Sequence, residues 1–141
     1  MEGAKPMRNK WAIWFWRLLR WLYAAYFMFV GYSVLIHLLR GATIHIHQPT
    51  AAAQVFSDAL EASRFMYPTL AVSYLGGGLA LLFPRTAPLG LAILGPPVAI
   101  ILLFHVFLTG QFVWGVGWAA AWLLMVWRYR RGFLPLLSYH D

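Results

Sequence analysis

Two histidines, His37 and His105, each fall in a stretch that carries no Asp, Glu, Lys or Arg, and two more, His45 and His47, follow the first of those stretches closely. A neutral imidazole can ligate a haem axially, so a haem held by His37 and His105 is one reading. Imidazole also exchanges its proton near physiological pH, so the same pair could hydrogen-bond a quinol headgroup and take its proton. The alternation in "HIH" aims His45 and His47 the same way if that segment is extended, which suits an external metal ion. Against all three stands a packing role, in which His37 and His105 are each satisfied by a backbone carbonyl, a tyrosine or water and the loop pair is solvated. Two spacings without carboxylate support do not make a strong site, and the packing role is the favoured one.

The acids are as informative as the histidines. They are Glu2, Asp58, Glu61 and Asp141, none within the uncharged stretches, so a carboxylate relay for pumping protons has no residues there to run on. With no cysteine, the chain can form no disulfide, thiolate metal site or iron–sulfur cluster.

The elements that must position these residues follow from the composition. Of 141 residues, 62% are hydrophobic and only 11% charged, too little polar surface for a water-soluble domain of this length. Four stretches lack charge: 21–39, 65–84, 86–108 and 111–127. Each is close to the roughly 17 to 25 residues that cross a hydrocarbon core as a helix. Backbone groups in lipid must be paired internally, and the alternation of barrel strands is absent, so the expected fold is all-α, an integral membrane four-helix bundle.

The net charge of +7 reads as orientation rather than as nucleic-acid binding. Lys5, Arg8, Lys10, Arg17 and Arg20 precede helix one, Arg85 lies between helices two and three, and Arg128, Arg130 and Arg131 follow helix four. Only Arg40 and Arg64 fall on the other side, which puts both termini in the cytoplasm. Arg17 and Arg20 interrupt the early apolar run, so helix one is expected to stay as an anchor rather than be cleaved. Residues 1–10 form a basic tail, 11–20, with Trp11, Trp14 and Trp16, an interfacial helix leading into helix one, and 128–141 a second basic tail.

The only long connection is 41–64. Thr50 is a candidate N-cap there, and Ala52, Val55, Phe56, Ala59, Leu60 and Ser63 recur at helical spacing, which predicts a short amphipathic helix on the outer face capping the bundle. In helix three, Pro96 and Pro97 supply no amide hydrogen to the carbonyls of Ala92 and Ile93, which predicts a kink and a need for outside donors, with Ser73 or Tyr74 the nearest candidates. In helix two, Ser73 and Gly77, and Gly76 and Ala80, are four apart, the small-residue spacing that lets another helix approach. In helix four, Trp114, Trp118 and Trp122 form one slowly rotating stripe, which could face lipid, fill a partner-helix socket or wall an aromatic ligand pocket.

From "HQPTAAAQVFSDALEASRF" through "YPTLAVSYLGGGLALLFPRTAPLGLAILGPPVAIILLFHVFL" to "YRRGFLPLL", the chain resembles the DoxX-like family of small bacterial and archaeal membrane proteins. The resemblance implies a four-helix bundle and a loose link to quinone-coupled oxidation of sulfur compounds. The chain departs from that family at Tyr74, where many relatives carry glutamate, and at Ile100, where they often carry asparagine.

The leading functional expectation is a non-catalytic accessory subunit of a bacterial inner-membrane assembly, for example respiratory or photosynthetic. Membrane lipids and other integral subunits are its partners, and the tryptophan face and the small-residue face (Ser73, Gly76, Gly77, Ala80) are its contacts. The alternative is a quinone-linked redox module using His37 and His105. A small transporter or lipid-handling protein comes third.

Overall fold

The first helix, α1 (Arg8–Leu39), is 32 residues long and unbroken. The computed structural model describes residues 8–42 and 47–134, and every element among them is helical. The interfacial segment 11–20 and the span 21–39 are therefore one rod, because nothing between them breaks a helix: no proline occurs and the residues are mostly Trp, Leu, Ala and Arg. The rod stops at Gly41, whose φ of 63° places it in the left-handed region that closes helix C-termini, with Ala42 N–H donating to the His37 carbonyl at 3.0 Å.

Four further helices follow: α2 (Ala51–Ala62), α3 (Met66–Leu82), α4 (Ala87–Leu103) and α5 (Phe112–Tyr129). A six-residue π-helical turn, Phe104–Thr109, extends α4, and a short 3₁₀ turn, Arg130–Gly132, closes α5. Thr50 caps α2 as its spacing predicts, its hydroxyl accepting from Ala53 N–H at 3.2 Å. The face α2 turns inward is Ala53, Phe56 and Leu60, while Ala52, Val55 and Ala59 of the expected stripe are exposed.

Packing runs α1 on α3, α3 on α4 and α4 on α5. Neighbours are antiparallel: Gly31 lies beside Tyr74 and Leu75, Gly78 beside Ala24 and Met28, and Gly77 beside Leu94. At the α3–α4 crossing a Cβ on Gly90 would stand 2.7 Å from the Gly77 carbonyl, so the two backbones touch where both side chains are absent. The enclosed core is small, built from Tyr23, Ala24, Phe27, Leu81, Leu91, Leu94, Val98 and Met125. Around it large apolar side chains point outward on every long helix, among them Phe29, Val72, Leu89, Val113 and Leu123. A molecule whose apolar surface is mostly external is suited to a hydrocarbon solvent and not to water.

Two helical segments are long and apolar enough by themselves to cross a membrane: Lys10–Leu39 and, counting the π turn, Ala87–Thr109. A third arises only if α2 and α3, which meet at 90°, count as one broken span. The four-span expectation is thus met by length and composition in two helices, or at most three. The physical reason lies in the other two: α3 has 17 residues, and α5 carries Trp114, Trp118, Trp122, Trp127 and Arg128, residues that favour the interface over the bilayer centre.

The prolines change less than expected. α4 runs through Pro96 and Pro97 and remains helical to its end, and the irregularity comes later, as the π turn. The outside donor that reaches this part of α4 serves a neighbouring carbonyl, not those of Ala92 and Ile93. Trp122 Nε1 of α5 donates to the Leu91 carbonyl at 2.9 Å, with its ring against Gly95, whereas Tyr74 packs on Phe27 of α1 with ring centroids 5.2 Å apart.

Candidate functional site

His37 and His105 lie at the same end of the molecule, near the C-termini of two parallel helices, yet each is held on its own helix. His37 Nδ1 donates to the Ser33 carbonyl at 2.7 Å and His105 Nδ1 to the Ile101 carbonyl at 2.8 Å. A carbonyl can only accept, so in both rings Nδ1 carries the hydrogen and Nε2 is the nitrogen left to accept or ligate. His37 is exposed and His105 half-buried.

The π turn explains the setting of His105. Wider helical winding disturbs the regular ladder, and π segments are frequent at functional positions for that reason. Hydroxyls serve two carbonyls of this segment: Thr109 Oγ1 donates to the His105 carbonyl at 3.2 Å, and Thr50 of α2 donates to that of Leu108. Gly110, at φ 71°, then turns the chain into α5, whose Gly115 admits the His105 side chain at close range. An apolar cavity opens beside the turn, lined by Phe56 of α2 and by Ile100, Leu103, Phe104, Phe107 and Leu108.

The loop histidines contribute less. His47 is exposed and His45 lies outside the described residues. Among the described residues no three of His, Asp and Glu gather as a metal site would require.

The tryptophan stripe is divided. Trp118 stacks on Tyr26 with centroids 3.9 Å apart, touches Tyr23 and Phe27, and accepts the Tyr23 hydroxyl at its carbonyl. Trp122 is fixed on α4 as described above. Only Trp114, 54% exposed, still offers its ring outward. The small residues divide similarly: Gly77 is buried against Leu94, Ala80 and Ser73 are half-buried, and a Cβ on Gly76 would meet nothing within 4 Å.

Between α1 and α5 the seam is bridged by large side chains, not close backbone contact, and it leaves a groove of about 320 Å³. Leu19, Leu22 and Tyr23 form one wall, and Trp114, Gly117 and Ala121 much of the other. At one end of that seam sits a residue whose role the sequence did not reveal. Arg20 is 3% exposed; its Nη1 donates to the Tyr129 hydroxyl at 3.5 Å, and its Nε is buried with no acceptor. In sequence it is one member of a basic flank, and only the position of α5 shows that it points inward. The Arg20–Tyr129 contact also places the basic residues of α1 and those after α5 at one end, where Gly132 against Pro88 adds the start of α4. Guanidiniums stand over indoles at that end, Arg17 on Trp14 and Arg130 on Trp127, pairings suited to a headgroup layer.

These features define a class: an all-helical protein with at least two helices able to cross a membrane, basic at one end and histidine-bearing at the other. Compared with known proteins, the chain matches no family model, no curated protein and no solved structure.

Proposed function

We propose that the chain is a non-catalytic accessory subunit of a bacterial inner-membrane assembly, folded as a four-helix bundle of the DoxX-like kind with both termini in the cytoplasm. One observation carries the reading. The polar side chains of the long helices bond largely within the chain itself: His37 and His105 each donate from Nδ1 to a carbonyl of their own helix and keep only Nε2 free, Tyr23 bonds the Trp118 carbonyl and Trp122 that of Leu91. What faces outward is packing surface, including Trp114 and Val113 on α5 and the open backbone at Gly76 on α3. In lipid, such surface associates through close packing and not through a hydrophobic drive. Extraction of the tagged chain from its native membrane in mild detergent tests this: stoichiometric integral companions, lost when Trp114 is changed to Ala, are expected. A chain that emerges alone refutes it.

A second reading is favoured by one feature, the free Nε2 of His105 beside the apolar cavity at Phe56 and Phe104. A quinone-linked module would place a quinol hydroxyl on that nitrogen, which accepts its hydrogen bond and takes its proton. Stoichiometric quinone in a lipid extract of the purified chain, abolished by His105→Phe, would favour it over the accessory role. Extract free of quinone and an optical spectrum free of haem bands would remove it.

A further inference from the structure

The guanidinium of Arg20 lacks a counter-charge among the described residues. It is all but sealed from the surroundings, its Nε faces no acceptor, and among the described residues its hydrogen bond is a long one to a neutral phenol. A guanidinium has five N–H donors, and burying it without an anion is strongly unfavourable. Among the described residues no acid meets this need, since Asp58 and Glu61 lie on α2 at the opposite end; Glu2 and Asp141 fall outside the described residues.

Immediately beside it, within one turn of α1, Leu19, Leu22 and Tyr23 begin the groove along α5. Tyr23 has already given its hydroxyl hydrogen to the Trp118 carbonyl, so the groove offers an apolar bed and asks for an apolar occupant. It is floored at Gly117, where a Cβ would meet nothing within 4 Å. A charge demand at Arg20 and an apolar groove lined by its near neighbours on α1 match an amphiphile with an anionic head, and the basic end of a membrane protein faces the leaflet rich in such lipids.

We propose that the α1–α5 seam binds one anionic phospholipid, its phosphate on Arg20 and Tyr129 and an acyl chain in the groove over Gly117. The site rests on the membrane placement of the chain and not on its role as a subunit. Binding measured on the isolated protein therefore stands or falls separately from any companion. The Tyr129 hydroxyl rotates to donate to the phosphate, whose charge then stands beside the Arg20 guanidinium that Tyr129 contacts.

The full chain, purified and delipidated in neutral detergent, is titrated with dioleoyl phosphatidylglycerol or dioleoyl phosphatidylcholine and read by native mass spectrometry. Retention of the anionic lipid should exceed that of the zwitterionic one by about tenfold, the scale of one charge-assisted hydrogen-bond set. Arg20→Gln should retain the two lipids equally, and Arg20→Lys should keep most of the preference. Gly117→Leu places atoms in open space, so it should fold normally and lose retention of both lipids. This variant keeps the proposal falsifiable if Arg20→Gln does not fold. Equal retention by the unaltered chain, a preference that survives Arg20→Gln, or full retention in Gly117→Leu would each overturn it. So would a thermal shift reproduced by inorganic phosphate alone, which would mean an anion site without a tail. Appearance of the preference only after Glu2→Gln with Asp141→Asn would show that the chain's own ends are the native counter-charge, and would overturn it also.

Discussion

Trp122 shows how one side chain can serve two demands at once. Its ring fills the space beside Gly95, and its N–H reaches the Leu91 carbonyl one position before the two carbonyls that Pro96 and Pro97 leave without amide partners. Trp122→Phe keeps an aromatic ring but loses the donor. It should lower stability by about 1 to 2 kcal/mol, seen as an earlier thermal unfolding midpoint in detergent; an unchanged midpoint would mean the bond contributes nothing. Two adjacent glycines offer a sharper contrast. A Cβ at Gly77 would stand 2.6 Å from Leu94 Cγ, whereas at Gly76 it would meet nothing. Gly77→Ala should cost about 1 to 3 kcal/mol through overpacking, and Gly76→Ala should gain about 0.5 to 1 kcal/mol from helix propensity. Equal effects in the two unfolding curves would contradict the assigned crossing of α3 and α4.

Between elements, the informative places are the joints. α2 and α3 meet at 90°, and the turn passes through Arg64, a non-glycine residue at φ 59°. The left-handed region costs such a residue about 1 to 2 kcal/mol, so Arg64→Gly should stabilise the chain by roughly that amount, less the entropy glycine loses on folding. A fall in the unfolding midpoint instead would show that the arginine side chain holds the bend. The other joint, the π turn, was not legible in "LLFHVFLTG", because π winding is not set by local residue preference. Its stability depends on partners such as Thr50, 58 residues earlier, whose hydroxyl reaches the Leu108 carbonyl.

For the molecule as a whole, the decisive quantity is where the apolar surface lies. Outward-facing Phe29, Val72, Val113 and Leu123 need lipid or detergent around them, and the basic residues of α1 and of the segment after α5 share one end. Impermeant labelling of cysteines introduced at Met1 and Asp141 in intact cells should therefore fail, and labelling at Gln48 should succeed. The reverse pattern would invert the molecule, and labelling of one terminus alone would leave an odd number of crossings.

The sequence by itself determined the helical class, the start of α4, the Thr50 cap and the charge asymmetry, because each depends on local composition and on the solvent a segment prefers. It left a backbone carbonyl, a tyrosine or water open as the partner of His37 and His105, and the structure chose the carbonyl four residues back on each helix. What the sequence could not assign was which apolar residues face inward. In a chain that is apolar on all sides, the hydrophobic pattern does not distinguish core from lipid face, and so the choice between lipid and protein stayed open for the stripe of Trp114, Trp118 and Trp122. Only the assembled helices decided that two of the three indoles are internal, that Gly77 rather than Gly76 makes the close contact, and that Arg20, one basic flank residue among several, is enclosed against Tyr129. Those outcomes depend on the relative position of residues far apart in the chain, fixed by packing between helices and carried by no local signal.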